Sequence, residues 1–268
     1  MALVVCPTPI GNLEDVTLRA LDELGEADLV LCEDTRRTRT LLERHGIRAK
    51  LLSYHAHNEA QRVEEVLPRL VAGERIALAS DAGLPALNDP GARLIAAAIE
   101  QGVEVVVLPG PSAIETAMVA SGLLGERYTF LGYVPRREKE RERLWEETSG
   151  WTWPLVAFES PRRLPATLAS LAGADPGRAV AVCRELTKVH EEVVRGSARE
   201  LSEHFVEAPK GEVTLVIGAA TGTEPADPRE ASAAVAELVA AGLPRRQAVD
   251  VIARVTGVPR NSLYRESL

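Results

Sequence analysis

The sequence is short of aromatic residues and of lysine. Aromatic residues make up 4% of the 268 residues, and lysine occurs at four positions only, so nearly all of the 31 basic residues are arginine. With so few aromatic side chains, stacking on nucleic-acid bases cannot be widespread. The formal net charge of −8 argues against a wholly basic nucleic-acid coat. Any positive patch must consist of arginine, which can bind phosphate through two hydrogen bonds at once.

Cysteine is equally scarce. Cys6, Cys32 and Cys183 stand far apart in apolar runs, and no two have the C-x-x-C spacing. A zinc site or a disulfide framework is therefore not expected, and we predict buried, reduced thiols. The N-terminus lacks the basic segment of a signal peptide, and no run approaches the roughly 18 apolar residues of a membrane span. We expect a cytoplasmic protein with no membrane partner.

The glycine loops of the common nucleotide-binding folds are missing. No two glycines are separated by a single residue, and no glycine precedes a lysine. The dinucleotide fingerprint and the P-loop are thereby excluded. A nucleoside cofactor would have to bind through other loops.

Short apolar runs alternate with segments of helical period through most of the chain. Five strands are predicted between residues 3 and 108, and four more are predicted after residue 125. This alternation predicts an α/β fold of two lobes, the first with a largely parallel sheet and helices on both faces. The boundaries that we predict are 1–112 for the first lobe, 113–220 for the second, and 229–268 for a C-terminal helical domain.

The C-terminal segment follows a different pattern. Residues 221–228, rich in Gly, Thr, Pro and Asp, indicate a linker, and helices are predicted over 231–241, 245–255 and 260–266. The turn at 256–258 is typical of a helix-turn-helix, although an αα-hairpin has the same pattern. Six arginines against four acids make the segment weakly basic. It could bind nucleic acid, or it could serve packing or dimer formation.

Four loops follow predicted strands of the two lobes. They are residues 7–12 (the first loop), 80–91 (the second loop), 109–113 (the third loop) and 184–188 (the fourth loop). Ligands of parallel α/β sheets bind at the carboxyl ends of the strands, where these loops would lie. Each could also be a simple turn, and Ser112 could merely cap the helix that follows. Their common position favours a ligand site.

Three polar segments could hold a substrate. Residues 33–37 (EDTRR) could bind substrate, or they could be a helix cap followed by a solvated face. The loop 54–59 contains His55 and His57, which lack the further Cys or His expected of a metal site, so no metal is predicted. Residues 136–143 alternate in charge, as an exposed helix does, and could also hold phosphates.

Several motifs together resemble one family. They are residues 8–15 (TPIGNLED), 33–36 (EDTR), 80–83 (SDAG), 89–91 (DPG), 108–113 (LPGPSA), 184–188 (RELTK) and 261–264 (NSLY). They are similar to those of the ribosomal RNA small subunit methyltransferase I branch of the tetrapyrrole methylase superfamily. The resemblance runs from residue 3 to the C-terminus. The second loop departs from the family pattern at Leu84, where the family has Thr, and at Asn88, where it has Ser.

The resemblance implies S-adenosylmethionine bound between two α/β lobes of a homodimer. It implies transfer of a methyl group to the ribose 2′-hydroxyl of a decoding-centre cytidine of 16S rRNA in the small ribosomal subunit. The alternatives are a small-molecule methylase acting on a tetrapyrrole or corrinoid precursor, and a non-catalytic RNA-binding module. The arginines of the helical tail favour RNA over a small molecule, and the loops at the strand ends favour an enzyme.

Site residues follow from matching the loops. The cofactor residues so implied are Pro9, Asp81, Ala82, Gly83, Ala86, Ser112, Ala113, Phe158 and Arg184. The catalytic candidates are Lys188, Glu185, Glu33 and Asp34. Lys188 ranks first, because a desolvated lysine can lose its proton near neutral pH and act as a base, although it could instead pair with Glu185 or Glu191. Contacts to RNA are assigned to Arg36, His55, Arg136 and Arg137.

Overall fold

The computed structural model describes residues 2–220, 228–256, 258, 260, 262 and 263. It confirms an α/β fold of two sheets followed by a helical C-terminal domain. The elements before residue 122 are β1 (Ala2–Cys6), α1 (Leu18–Glu26), β2 (Leu29–Cys32), α2 (Thr35–Arg44), β3 (Leu51–Ser53), α3 (Glu59–Val71), β4 (Ile76–Ala79), α4 (Ala92–Glu100), β5 (Glu104–Val107) and α5 (Ala113–Ser121).

The first sheet is parallel throughout, with strand order β3-β2-β4-β1-β5. Its central strands are covered by helices on both faces, so they read as continuous apolar runs instead of alternating patterns. Leu3, Leu31 and Leu78 face one core. Val4 and Val30 face the other. This burial is why the strand positions could be predicted from the sequence.

The second part of the chain builds its own sheet. Its elements are β6 (Thr129–Tyr133), α6 (Glu138–Thr148), β7 (Leu155–Glu159), α7 (Leu164–Ala174), β8 (Ala179–Arg184), β9 (Glu192–Ser197), α8 (Ala198–His204) and β10 (Val213–Ile217). The order is β6-β7-β10-β8-β9, and β10 is antiparallel to both of its neighbours. The sequence did not predict β9, which forms a hairpin with β8 at the edge of the sheet.

The mixed sheet corrects one expectation. The fourth loop was expected to follow a parallel strand, but β8 is antiparallel to both β10 and β9. Since β10 is also antiparallel to β7, two reversals make β8 point the same way as β6 and β7. The carboxyl end of β8 therefore still lies at the same edge of the sheet as those of β6 and β7.

The helix α5 connects the two lobes. Its side chains Ile114, Ala117 and Met118 pack into an apolar cluster with Val156 of β7 and Val216 of β10. Because α5 begins directly after the third loop, this packing carries that loop to the edge where β6, β7 and β8 end. The cleft between the lobes opens there.

The C-terminal domain contains α9 (Pro228–Ala240) and α10 (Arg245–Thr256), which pack through Ala231, Val235 and Val249. The predicted linker, apart from Pro228, lies outside the described residues. So do Gly257 of the predicted turn and most of the third predicted helix, as well as Asn261 and Tyr264 of the closing motif. Among the helices described, none is both long and apolar enough to span a bilayer.

All three cysteines are buried and free, as predicted. Burial raises the pKa of Cys6 to about 12 and that of Cys183 to about 11. The pKa of Cys32 is also raised, again because of burial. The three thiols therefore stay protonated at neutral pH.

Candidate active site

The first and second loops are joined by backbone hydrogen bonds. Thr8 and Gly83 exchange two N–H···O bonds of 2.9 Å. Below them, the buried Thr8 hydroxyl donates to the Ser80 carbonyl oxygen at 3.0 Å, and the Ser80 hydroxyl donates to the Gly83 carbonyl oxygen at 2.9 Å. These bonds hold the two loops as one rigid unit at the end of the first sheet.

The first loop also lies against the fourth loop. The Asn12 backbone N–H donates to the Thr187 hydroxyl at 3.0 Å. At Gly11 the backbones approach so closely that a Cβ would lie 2.5 Å from Lys188 Cγ and 2.9 Å from the Leu186 carbonyl oxygen. Only glycine leaves room for this contact between the lobes.

Strained backbone is concentrated in the second and fourth loops. Ala86 and Asn88 have φ angles of 72° and 63°, and Glu185 and Thr187 have φ angles of 52° and 65°. These are the non-glycine residues with positive φ in the described part of the chain. Such conformations cost about 1–3 kcal/mol each and tend to occur at functional sites, where the surrounding structure enforces them. Of the four, Asn88 lines the larger cavity of the cleft between the lobes.

Two cavities lie in this cleft. The larger cavity, about 470 Å³, lies between the second and third loops on one side and the ends of β6 and β7 and the start of β10 on the other. The smaller cavity, about 320 Å³, lies between the first loop, α2 and the side chain of Lys188. Both volumes fall within the range of about 300–1,000 Å³ that is usual for small-molecule sites.

Most of the predicted cofactor residues line the larger cavity. They are Asp81, Ala82, Gly83, Ser112, Ala113 and Phe158. Pro9 lines the smaller cavity instead, and Ala86 and Arg184 line neither. The Arg184 guanidinium bonds to Glu192 and to the Lys210 carbonyl oxygen, which explains why it does not reach the cleft. Ser112 stands at the N-cap of α5, but its hydroxyl donates to the Glu115 carboxylate instead of capping the backbone.

Lys188 lies in the smaller cavity between two carboxylates. Its ammonium donates to Glu185 at 2.9 Å and to Glu212 at 3.0 Å. Burial alone would lower the Lys188 pKa, but the two carboxylates outweigh it, so the pKa lies above its ordinary value. The raised pKa does not favour the role of a base, because it keeps the ammonium protonated at neutral pH. A cationic role remains.

Asp34 and Glu33 lie at the start of α2 and line neither cavity. The Asp34 carboxylate accepts from the Arg36 backbone N–H and from its guanidinium, at 2.9 and 2.8 Å, as an N-cap does. Both bonds hold the pKa of Asp34 well below its ordinary value. Asp34 therefore takes the capping role that was the alternative to substrate binding.

The cleft is acidic beside the second loop. The Asp89 pKa is raised to about 6, mainly because the carboxyl is buried and also because Glu33 and Asp81 are near. Burial and Asp81 raise the Glu33 pKa as well. Asp81 accepts from the Asp34 backbone N–H at 2.9 Å. This part of the cleft favours a cationic ligand.

The residues assigned to RNA lie around the cleft and not in it. Arg36 is 86% exposed and paired with Asp34, and the His55 ring lies within hydrogen-bonding distance of Asn58 in its own turn. Arg136 and Arg137 are exposed where the chain enters α6. None of the four lines either cavity.

The structure adds Glu212 and Tyr133, which the sequence did not single out, and it brings Arg37 of the predicted substrate segment 33–37 into the cleft. Arg37 and Glu212 line both cavities, and Tyr133 lines the larger one. Glu212 comes to the cleft from the start of an antiparallel strand, and no sequence pattern marks such a position. Tyr133 ends β6 at the cleft edge, so its place at a strand end was a usable signal.

The chain was compared with known families and proteins. The family described as "Tetrapyrrole (Corrin/Porphyrin) Methylases" matches residues 2–202, and the "RsmI C-terminal HTH domain" matches residues 225–268. A protein of Mesorhizobium japonicum named ribosomal RNA small subunit methyltransferase I is 42% identical over 100% of this chain and 91% of its own. A Thermotoga maritima protein of the same name is 44% identical over 80% of this chain and 97% of its own.

Solved structures share the fold. One is uroporphyrin-III C-methyltransferase from Thermus thermophilus complexed with S-adenyl homocysteine. It is 19% identical to this chain, with a TM-score of 0.57 over 81% of this chain and 97% of its own. At this level of identity, the likeness shows that the two lobes share a fold with that protein.

Gly11→Ala should separate the first and fourth loops. The added Cβ would overlap Lys188 and the Leu186 backbone, so we expect a loss of stability of about 1–3 kcal/mol, as for overpacked cores. Chemical denaturation measures it. Gly173→Ala is the control, because nothing lies within 4 Å of its Cβ and alanine favours the helix. A Gly11→Ala protein as stable as the parent would contradict the tight contact.

Asp89→Asn should change how stability depends on pH. The Asp89 pKa is raised from 3.8 to about 6, so between these values the folded chain binds more protons than the unfolded chain. The free energy of unfolding contributed by Asp89 therefore falls as pH rises through that window. We expect Asp89→Asn to be more stable than the parent at pH 7 and to lose that advantage at pH 4. Denaturation at both pH values tests this, with exposed Asp22→Asn as control.

Proposed function

The chain belongs to the tetrapyrrole methylase family, among the ribosomal RNA small subunit methyltransferase I proteins, and we propose that it transfers a methyl group from S-adenosylmethionine to ribosomal RNA. The observation that carries the proposal is the larger cavity at the carboxyl ends of β4, β6 and β7. It is bordered by the strained second loop and lined by most of the residues expected to hold the cofactor.

The lining of the larger cavity fits S-adenosylmethionine. Ile10, Ile114 and Phe158 supply apolar surface for the adenosyl group. Asp81 and Asp89 supply negative charge for a ligand that carries a sulfonium and an ammonium. The absence of the G-x-G loop agrees with this, because the second and third loops take its place.

The cofactor supplies an activated methyl group. A bond forms between the acceptor oxygen and the methyl carbon while the carbon–sulfur bond breaks, sulfur keeps the electron pair, and the hydroxyl proton is released to solvent. A ribose hydroxyl is a weak nucleophile at neutral pH, so holding it in line with the methyl group provides much of the acceleration.

Lys188 is proposed to stabilise, by its positive charge, the negative charge that develops on the reacting oxygen. Its ammonium is held by Glu185 and Glu212 at the wall of the smaller cavity, so it is oriented before the acceptor arrives. A fixed cation stabilises negative charge that develops on the hydroxyl oxygen in the transition state. Glu185 acts through Lys188 and is proposed as a positioning residue.

The finer assignments come from the family. We propose the 2′-hydroxyl of a cytidine in the decoding centre of 16S rRNA as the acceptor, reached in the small ribosomal subunit in the cytoplasm. We also propose a homodimer, supported by the exposed apolar side chains Val119, Leu124 and Tyr128 on and after α5. The helical domain carries exposed Arg245 and Arg246, which could contact RNA phosphates.

The direct test is methyl transfer from labelled S-adenosylmethionine to purified small ribosomal subunits, followed by mapping of the label. We expect label on a ribose 2′-oxygen of a single cytidine. Label on a base, or transfer to a tetrapyrrole and not to subunits, would contradict the proposal. Sedimentation of the same preparation should give the mass of a dimer. A monomer at the concentration used in the assay would contradict the proposed homodimer.

Substitutions of Lys188 separate a cationic role from a base. Lys188→Ala should lower kcat on the order of 10²-fold, the usual effect of removing one transition-state partner. Lys188→Arg keeps the charge but cannot serve as a base, so it should retain most of the activity. Cofactor affinity should be unchanged in both variants, because Lys188 lines the smaller cavity and not the larger. A Lys188→Arg protein as inactive as Lys188→Ala would exclude the cationic role.

A further inference from the structure

The two cavities of the cleft adjoin each other. Ile10, Arg37, Asp81, Ala82 and Glu212 line both of them. A ligand in the smaller cavity would therefore lie next to a ligand in the larger one. This is the arrangement that transfer between two bound molecules requires, because the reacting atoms must come within about 3–3.5 Å of each other.

We propose that the smaller cavity receives the acceptor nucleoside and that the groove beyond it carries the adjoining RNA strand. The proposal rests on the methyl transfer proposed above and names the place of its second substrate. The groove is the depression lined by Asn12, Leu13, Glu14, Arg44, Thr187 and Val189. It adjoins the smaller cavity, because Gly11, Leu13 and Lys188 line both.

Size and charge decide which cavity takes which substrate. The cofactor consists of a nucleoside plus an amino acid and carries net positive charge, so it matches the larger cavity with Asp81 and Asp89. A nucleoside alone is smaller and matches the cavity of about 320 Å³. That cavity is lined by Pro9, Leu13 and Leu41, which offer apolar surface for a base, and by Thr38 and Thr40, whose hydroxyls donate to backbone carbonyl oxygens of Asp34 and Arg36.

Cations follow one another along the path from the cavities into the groove. Arg37 lies at the shared wall, Lys188 lies where the smaller cavity meets the groove, and Arg44 lies in the groove. Each is already near a carboxylate: Arg37 at 3.5 Å from Asp81, Lys188 at 2.9 Å from Glu185, and Arg44 at 3.2 Å from Glu14. A strand leaving the smaller cavity would pass them in succession, and its phosphates would become the new partners of Arg37 and Arg44, while Lys188 stays with its carboxylates.

The α2 helix is the protein element that builds this path. Its residues Arg37, Thr38, Thr40 and Leu41 line the smaller cavity, and Arg44, at its last turn, lines the groove. The Asp34 cap fixes where the helix begins, and its backbone N–H also holds Asp81 in the shared wall. The position of α2 relative to the cofactor loops is thereby set.

Thr40→Trp tests the proposal by filling the smaller cavity from an exposed helix position. The control is Glu43→Trp, which puts the same side chain on an exposed position of the same helix that lines neither cavity. We expect Thr40→Trp to lower methyl transfer to small ribosomal subunits at least tenfold, with cofactor affinity by calorimetry unchanged within twofold. Glu43→Trp should transfer at the parent rate.

The other outcomes are equally informative. Full transfer activity in a folded Thr40→Trp protein would overturn the proposal, and so would loss of cofactor binding, since that would place the cofactor in the smaller cavity. If the unsubstituted protein binds the cofactor but methylates no subunit, the proposed function is wrong. If the unsubstituted protein is active and Thr40→Trp is equally active, only the assignment of the smaller cavity is wrong.

Salt dependence gives a second measurement that does not depend on Thr40→Trp folding. Replacing one phosphate-binding cation should reduce the slope of log affinity against log salt by about 0.7 for single-stranded RNA. We expect this reduction for Arg44→Ala, measured by binding of an rRNA fragment, and none for Arg48→Ala, which is exposed beyond the groove. An unchanged slope in Arg44→Ala would show that no phosphate is bound in the groove.

Discussion

The contact between the first and fourth loops holds the two lobes together at the cleft between them. Each sheet alone would present its strand ends to solvent. At Gly11 the backbone of the first lobe lies against residues 186–188 of the second, and the Asn12–Thr187 hydrogen bond fixes the alignment. Lys188 is placed beside the first loop by this contact, and so is the wall between the two cavities. Nothing larger than glycine could stand at the meeting point.

The charge distribution explains how an acidic chain could use RNA. The net charge of −8 argued against a basic nucleic-acid coat, and the cations that border the cleft are partnered by carboxylates. Such pairs are weak at the surface and can exchange one anion for another. Phosphate held by a few exchanged pairs binds less strongly than phosphate on a bare arginine surface. Binding would then depend on the fit of the whole substrate, and random RNA would bind poorly.

Much of the fold could be predicted from the sequence, and the reasons are physical. β2, β4 and β10 belong to the strands predicted from the sequence, since each is a fully buried run of mainly apolar residues, and the α4 segment has a strong helical period. β9 was missed because Glu192 and Arg195 interrupt it and because an edge strand needs no continuous apolar run. Loop positions placed most of the residues of the larger cavity. Glu212 could not be placed in this way, because it stands just before the antiparallel β10 and not after a strand that ends at the cleft.

The burial of the three cysteines has a practical consequence. A thiol whose pKa is raised by burial contains almost no thiolate at neutral pH, so it reacts slowly with maleimides and with oxidants. One cysteine introduced on an exposed helix would then be the reactive thiol of the molecule, with no native cysteine removed. A pair of such positions, one on α2 and one on α6, would carry spectroscopic labels on opposite sides of the cleft. Distances between the labels would measure the separation of the two lobes, with and without cofactor, in a chain that keeps its native cysteines.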